Sequence, residues 1–336
     1  MNYASLGDLA KGYNLRRHNA ALKGVISSLS RELSAGVKSD IGSALKGDLA
    51  RIANLEHSLT SIESFVFAAN EAQQFVDSMQ SSLGALQSLM SDIIPALIST
   101  PTSSSTVIDA ASVGSEAIFA DAISILNTSI SGRYIFSGIS PTTPPLEKFD
   151  VIFASLKSEV SGITDLEHFV SAVSQWFDAP EGGGGYMDIA YRGGESLKPF
   201  AAGAGERISI DLTAASPKLR KALSGLAIAA LVSEGAFEND PGTQSKLLQI
   251  AGEKLAGSEA DIIGIRSEVG VSAATLHRTL TRNLSERSGL ELARGALISV
   301  DPYEVTTALQ SAQVQLESVY ALTSRLSRLS LLEFLR

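Results

Sequence analysis

Residues with the means to do chemistry are few in this chain, and they are badly spaced for it. The four histidines, His18, His57, His168 and His277, stand far apart, with no His-Glu-x-x-His and no pairing that would set two imidazoles on one metal ion. Ser43-Ala44-Leu45-Lys46 has the spacing of a Ser-x-x-Lys nucleophile but lacks the companion motifs of such enzymes. Gly182 to Gly185 is not followed by the Lys-Ser/Thr pair of a phosphate loop, so it reads as a flexible hairpin tip. Glu167-His168, near Trp176, and Asp188 come closest to an acid–base set in a pocket, yet carboxylates scattered over helices fix no such role. There is no cysteine, which removes disulfides, thiolate metal sites and thiol nucleophiles. No catalytic, cofactor-binding or metal site is expected, and the chain reads as non-enzymatic.

Composition narrows the partners. Lys and Arg number 27 against 36 Asp and Glu, a net charge of −9 without any concentrated basic tract, so nucleic acid is not an expected partner. Charged residues make up 19 % of the chain, below the roughly 25 % usual for soluble domains. Ser, Ala, Gln and Asn take their place on helical faces that should be wet. Such faces read as surfaces that pack against something, the plainer alternative being uncharged solvent faces. Met1 to Ala20 lacks the apolar stretch of a secretory signal, and no uninterrupted apolar run approaches the roughly 20 residues of a membrane span. The expectation is no membrane insertion, with any export using a route that needs no cleaved leader.

The elements that would position any site are long helices. Asp301-Pro302-Tyr303-Glu304 is a helix start: an N-cap, a proline in the first position and a Glu that can reach back to free amides. Behind it Val305, Leu309, Ala312, Leu316, Val319, Leu322, Leu326, Leu329 and Leu332 recur at steps of three and four, one apolar stripe that needs a partner. Residues 1 to about 40 carry a shorter stripe, Leu22, Ile26, Leu29 and Leu33, weakened by Gly7, Gly12, Gly24 and Gly36. Both chain ends are therefore expected to be marginal alone and to become ordered on assembly.

The longest regular pattern is Ile52, Leu55, Leu59, Ile62, Val66, Ala69, Gln73 and Val76, then Met79, Leu83, Leu86, Met90, Ile93 and Leu97. This seven-residue repeat predicts a rod-like helix over 46–98, with a possible kink at Pro95. After the break at 101–105 a returning helix is predicted over 106–130. Gly132 would end it, Tyr134 to Phe136 would form a strand, and Gly138 would turn the chain. Pro141 to Pro145 reads as a stiff linker and the clearest domain boundary. Beyond it come two short helices (146–160 and 165–178), then strands over Tyr186–Arg192 and Arg207–Thr213. Helix resumes over 216–234 and 243–299, the latter with a stripe of Ile262, Ile265, Val269, Ala273, Leu276, Leu280, Leu284, Leu290, Ala293 and Leu297.

The expected fold is mainly α: a long antiparallel helical rod made by the N- and C-terminal halves, with a small α+β insert. Its parts are 1–45 (terminal helix), 46–138 (rod helices), 139–215 (insert), 216–300 (rod helices) and 301–336 (terminal helix). Both termini would lie at the same end.

Three segments carry a resemblance. Leu29-Ser30-Arg31-Glu32-Leu33-Ser34-Ala35-Gly36-Val37-Lys38-Ser39-Asp40 is similar to a signature near the N-terminus of flagellins and their relatives. Asn127 to Gly138, ending in Gly132-Arg133-Tyr134-Ile135-Phe136-Ser137-Gly138, resembles a motif of the hook–filament junction proteins (flagellar hook-associated protein 3) of the flagellin superfamily. Leu322 to Leu332 is similar to the C-terminal helix of the same group. The terminal patterns are shared with filament flagellin, whereas the Gly-Arg-Tyr-Ile-Phe-Ser-Gly motif discriminates. The resemblance implies a structural subunit exported by the flagellar type III apparatus, located extracellularly in the flagellum and joining hook to filament. Its implied partners are copies of itself in a helical or ring-like layer, a neighbouring hook-associated protein, flagellin, and an export chaperone on the C-terminal helix. Leu29, Leu33, Leu309, Leu316, Val319, Leu326 and Leu329 would then be assembly residues, against the plainer reading of ordinary intramolecular core. Gly132, Arg133, Tyr134, Phe136 and Gly138 would be the family motif, read most simply as a helix stop leading into a strand. Filament flagellin, a flagellin-like scaffold with an enzymatic insert, and a cytoplasmic coiled-coil interaction protein are the alternatives.

Overall fold

A computed structural model describes residues 6–99, 108 and 112–334. In chain order these form α1 (Leu6–Ala35), α2 (Ile41–Ala44), α3 (Ala50–Ile98), α4 (Ser115–Leu126), β1 (Ser129–Ile130), β2 (Arg133–Tyr134), α5 (Phe149–Glu159), α6 (Leu166–Asp178) and α7 (Tyr186–Ile189). Then follow β3 (Phe200–Gly203), β4 (Glu206–Ile208), α8 (Pro217–Ser233), α9 (Pro241–Ile298) and α10 (Pro302–Phe334). The mainly α architecture with a small strand-bearing region is the one the periodicities predict. The chain divides into two compact units, Met1–Glu63 with Ser285–Arg336, and Ser64–Leu284.

In the first unit α1 packs against α10. They run antiparallel, since Lys23 lies over the ring of Tyr320 while Val37 bridges Ser299. The chain leaving α1 is stitched to the chain entering α10: Lys38 donates its amide to the Ile298 carbonyl at 2.9 Å, and Val300 donates to Gly36 at 3.1 Å. Asp301 caps α10 as its position predicts, accepting from the Tyr303 amide at 2.8 Å. Leu22, Val305, Ala312 and Val319 are buried, and Leu29, Leu309 and Leu316 half-buried. The predicted stripe thus reaches Val319, but Leu322 is 54 % exposed and Leu33 is exposed as well. The side chains of Leu326, Leu329 and Leu332 lie outside the described residues.

The second unit is built on the antiparallel pairing of α3 with α9. Gln80 donates to the Arg266 carbonyl at 2.5 Å, Arg266 donates to Gln87 at 2.5 Å, and Ser91 donates to Glu259 at 2.6 Å. Between them Met79, Leu83, Leu86 and Met90 meet Ile262, Ile265 and Val269 in one core that also takes Phe119 of α4 and nearly all of α8. By length and composition α3 could cross a membrane, but its apolar stripe is spent on this core. Beyond its charged first turns, whose Lys218 and Lys221 pair with Glu268 and Asp261, helix α8 is apolar on every side over Leu226-Ala227-Ile228-Ala229-Ala230 and accordingly buried there all round. Two register details differ from the sequence pattern. Ala72, not Gln73, fills the inward position on α3. On α9 the inward positions after Leu276 are Thr279 and Asn283 rather than Leu280 and Leu284, because Asn283 donates to the Ala202 carbonyl of β3 at 2.8 Å.

Several expected loops and strands are corrected here. Tyr186 to Arg192 is not a strand. Tyr186 starts α7 and buries its ring beside Trp176 and Phe177, its hydroxyl donating to the Ala214 carbonyl at 2.8 Å. The Arg207–Thr213 strand shrinks to β4, paired antiparallel with β3 through a register shift after Ala201. Gly182 to Gly185 is no hairpin tip. It joins α6 to α7 and wraps the Asp188 carboxylate, which accepts from Gly182 at 2.8 Å and Gly184 at 2.6 Å. Those amides hold the Asp188 carboxyl below its usual range. Pro141 to Pro145 lies inside the second unit and is tied down: Tyr134 donates to the Pro141 carbonyl at 2.8 Å and Arg192 to that of Pro145 at 2.8 Å.

Candidate functional site

None of the candidate chemistry of the sequence converges. His168 caps back onto Asp165 (Nδ1 to Oδ2, 2.8 Å) and is exposed, whereas Trp176 is core, so the two share no pocket. Ser43 and Lys46 sit on and just after the short α2, the Ser43 amide donating to Asp40. Among the described residues no three His, Asp or Glu side chains gather as metal ligands would.

What the fold does build with care is the segment 127–146. The predicted helix over 106–130 is instead α4, ending at Leu126, after a turn at Val113-Gly114. Asn127 then clamps the far end of the segment, donating to the Leu146 carbonyl at 3.1 Å and accepting from its amide at 2.9 Å. Between these, β1 and β2 form a two-residue hairpin whose turn residues, Ser131 and Gly132, both have positive φ (51° and 78°). Such a turn matches the right-handed twist of the strands. Gly132 is therefore a hairpin turn rather than a helix stop.

Arg133, opposite Ile130, reaches back to pair with Glu71 of α3. Tyr134 closes the ladder against Ser129. Strand β2 stops there: Phe136 is not in a strand but fully buried, its carbonyl accepting from Ala214 at 3.0 Å. Ser137 is buried with its hydroxyl 2.6 Å from the Ser140 carbonyl and 2.7 Å from that of Thr143. Gly138, at φ 61°, lets the chain pass so close to Glu195 that a Cβ there would stand 2.0 Å from its carbonyl oxygen. Its neighbour Ile139 donates to that same carbonyl at 2.9 Å. The five motif residues thus serve one object, a short hairpin braced against α3 and knotted to the 194–214 segment.

One participant escapes a sequence reading. Glu71 lies 62 residues from Arg133, and nothing local to either marks the pair. Asn127 is legible in principle, since an Asn just past a helix end is a residue that caps backbone. The candidate assembly residues lie elsewhere, in the first unit, where Leu29, Leu309 and Leu316 are half-buried and Val319 is buried between α1 and α10.

No protein-family model matches the chain, and no curated protein does. Among solved structures the chain is similar to the crystal structure of Bacillus cereus FlgL, at 16 % identity and a TM-score of 0.39 over 74 % of this chain and 97 % of that one. It is also similar to a structure described as a flagellar hook-associated protein of Vibrio parahaemolyticus, at 14 % identity and a TM-score of 0.39 over 87 % and 98 %.

Proposed function

We propose that this chain is a structural subunit of the bacterial flagellum, joining hook to filament. It leaves the cell through the flagellar type III apparatus and is built in through its terminal helices. One observation carries the reading: α1 and α10 form a pair whose buried stripe uses only part of their apolar surface. Tyr303 is 80 % exposed, Val314 is 61 % exposed, and Val25 and Leu322 are exposed too. A two-helix pair with apolar side chains left outside its own contact is suited to burying them against neighbours. Those neighbours are copies of this chain, a hook-associated protein and flagellin. Before assembly an export chaperone shields α10. Leu29, Leu33, Leu309, Leu316, Val319, Leu326 and Leu329 act in this pairing and packing, and the 127–146 hairpin is a rigid strut on α3.

Immunogold labelling of intact flagella tests the role. Label confined to the hook–filament junction is the expected result. Label along the whole filament would make the chain a flagellin, and label only inside cells would overturn the flagellar role.

A further inference from the structure

The ion pair that braces the hairpin also borders an apolar cleft of about 280 Å³ within the second unit. Its walls come from separate stretches of the chain: Ala68, Ala72 and Phe75 of α3, Leu197 and Phe200 on the way into β3, and Ile210 after β4. Ala72 and Ile210 are buried, whereas Ala68, Phe75, Leu197 and Phe200 are only half-buried. Apolar surface on four side chains is therefore left to the cleft. Ala68 and Ala72 stand one turn apart on the helix and end at Cβ, which makes room beside the larger Phe75 and Phe200. Rings elsewhere in this unit pair with one another, as Phe119 does with Phe149 and Trp176 with Tyr186. Neither Phe75 nor Phe200 has a ring partner among the described residues.

Three charged side chains line the same cleft. Glu71 and Arg133 neutralise each other. Lys198 is exposed, and its ammonium has no carboxylate among the described residues. The lining thus carries one surplus positive charge beside an aromatic and aliphatic wall. Phe67, 71 % exposed, stands one turn before Glu71, which stands one turn before Phe75, so it continues that row of α3 past the cleft. A free molecule seated in about 280 Å³, below the roughly 300–1,000 Å³ of small-molecule pockets, leaves Phe67 bare. A polypeptide that puts one side chain into the cleft and runs on along α3 covers it.

We propose that this cleft is a docking site for a protein segment that brings one aromatic side chain flanked by Asp or Glu. The ring enters against Ala68, Ala72, Phe75 and Phe200, an acidic neighbour pairs with Lys198, and the segment lies over Phe67. An aromatic anchor seated in a pocket supplies most of the energy of such a contact, and a rim charge selects which segments are attracted. The site stands whether or not the chain joins hook to filament, because its chemistry is complete within the second unit.

The test uses the whole purified chain and three synthetic peptides: acetyl-Gly-Glu-Phe-Glu-Gly-amide, the same peptide with Lys for Glu, and the same peptide with Ala for Phe. Binding is followed by the NMR shifts of the Phe67, Ala68 and Lys198 amides. The acidic aromatic peptide is expected to give saturable shifts at all three, and the Ala peptide none. Replacing its Glu residues by Lys should weaken binding about fivefold. Lys198→Glu, a change on an exposed side chain, should reverse that preference and favour the Lys peptide. Ala68→Trp fills the cleft and should abolish the shift at Lys198, with the circular dichroism melting midpoint as the check on its fold. No saturation by the acidic aromatic peptide at millimolar concentration would overturn the docking site. Equal affinity for the Glu and Lys peptides would overturn the acidic character of the partner. Phenylacetate binding as tightly as the peptide, with the Phe67 amide unmoved by either, would make the cleft a small-molecule site and remove the case for a protein segment.

Discussion

Gly132 and Gly138 share a left-handed backbone but not a neighbourhood, and that difference sets what each substitution costs. A Cβ on Gly132 meets nothing within 4 Å, whereas one on Gly138 would overlap the Glu195 carbonyl. Gly132→Ala is therefore expected to cost only the left-handed penalty, about 1–2 kcal/mol. Gly138→Ala adds a displaced backbone and is expected to cost more than about 3 kcal/mol. Urea denaturation followed by Trp176 fluorescence reads both, and equal costs would refute the packing account. The motif was visible in the sequence as a break in helical pattern, but its geometry was not. Ser131-Gly132 is a hairpin dipeptide, and the apolar run before it made a longer α4 look natural.

Elements were most legible where periodicity is long. The stripes of α3, α9 and α10 appear with few shifts, because each turn of helix repeats the same signal. The reading failed where a polar side chain faces inward to serve a distant backbone, as Asn283 serves Ala202. Replacing Asn283 by Leu keeps the bulk and strands that carbonyl, with an expected cost of about 1–3 kcal/mol in thermal unfolding; an unchanged midpoint would show the hydrogen bond to be idle. The turn after α1 has its own signature. Glu32 is held low chiefly by the Ser39 hydroxyl and then by the Ser39 amide, so its stabilising effect is complete above the unfolded carboxyl value of about 4.3. That effect fades as pH falls through the lower folded value. The Ser39 amide shift in NMR should titrate with a midpoint below about 4.3 and become flat in Glu32→Gln. A midpoint at or above the unfolded value would contradict it.

At the scale of the whole molecule the two units differ in what holds them. Nearly every large buried side chain lies in Ser64–Leu284, while among the described residues of the first unit the buried apolar side chains are Leu22, Leu59, Ile62, Ile298, Val305, Ala312 and Val319. No break in composition marks the division, because it falls inside α3 and α9, whose helical pattern runs on unchanged; only the density of buried neighbours changes. A thin core should melt first. Heating is expected to give two transitions by circular dichroism, the first at the lower temperature and silent in the fluorescence of Trp176, the single tryptophan, which is buried in the second unit. Removing residues 301–336 takes away the partner of α1, so the first transition should disappear while the second keeps its midpoint. Val319→Asp, which puts a charge into the α1–α10 contact, should lower the first transition alone. Coincident melting by both probes would show one cooperative block and would remove the physical ground for treating the terminal helices as the part left to be ordered by assembly.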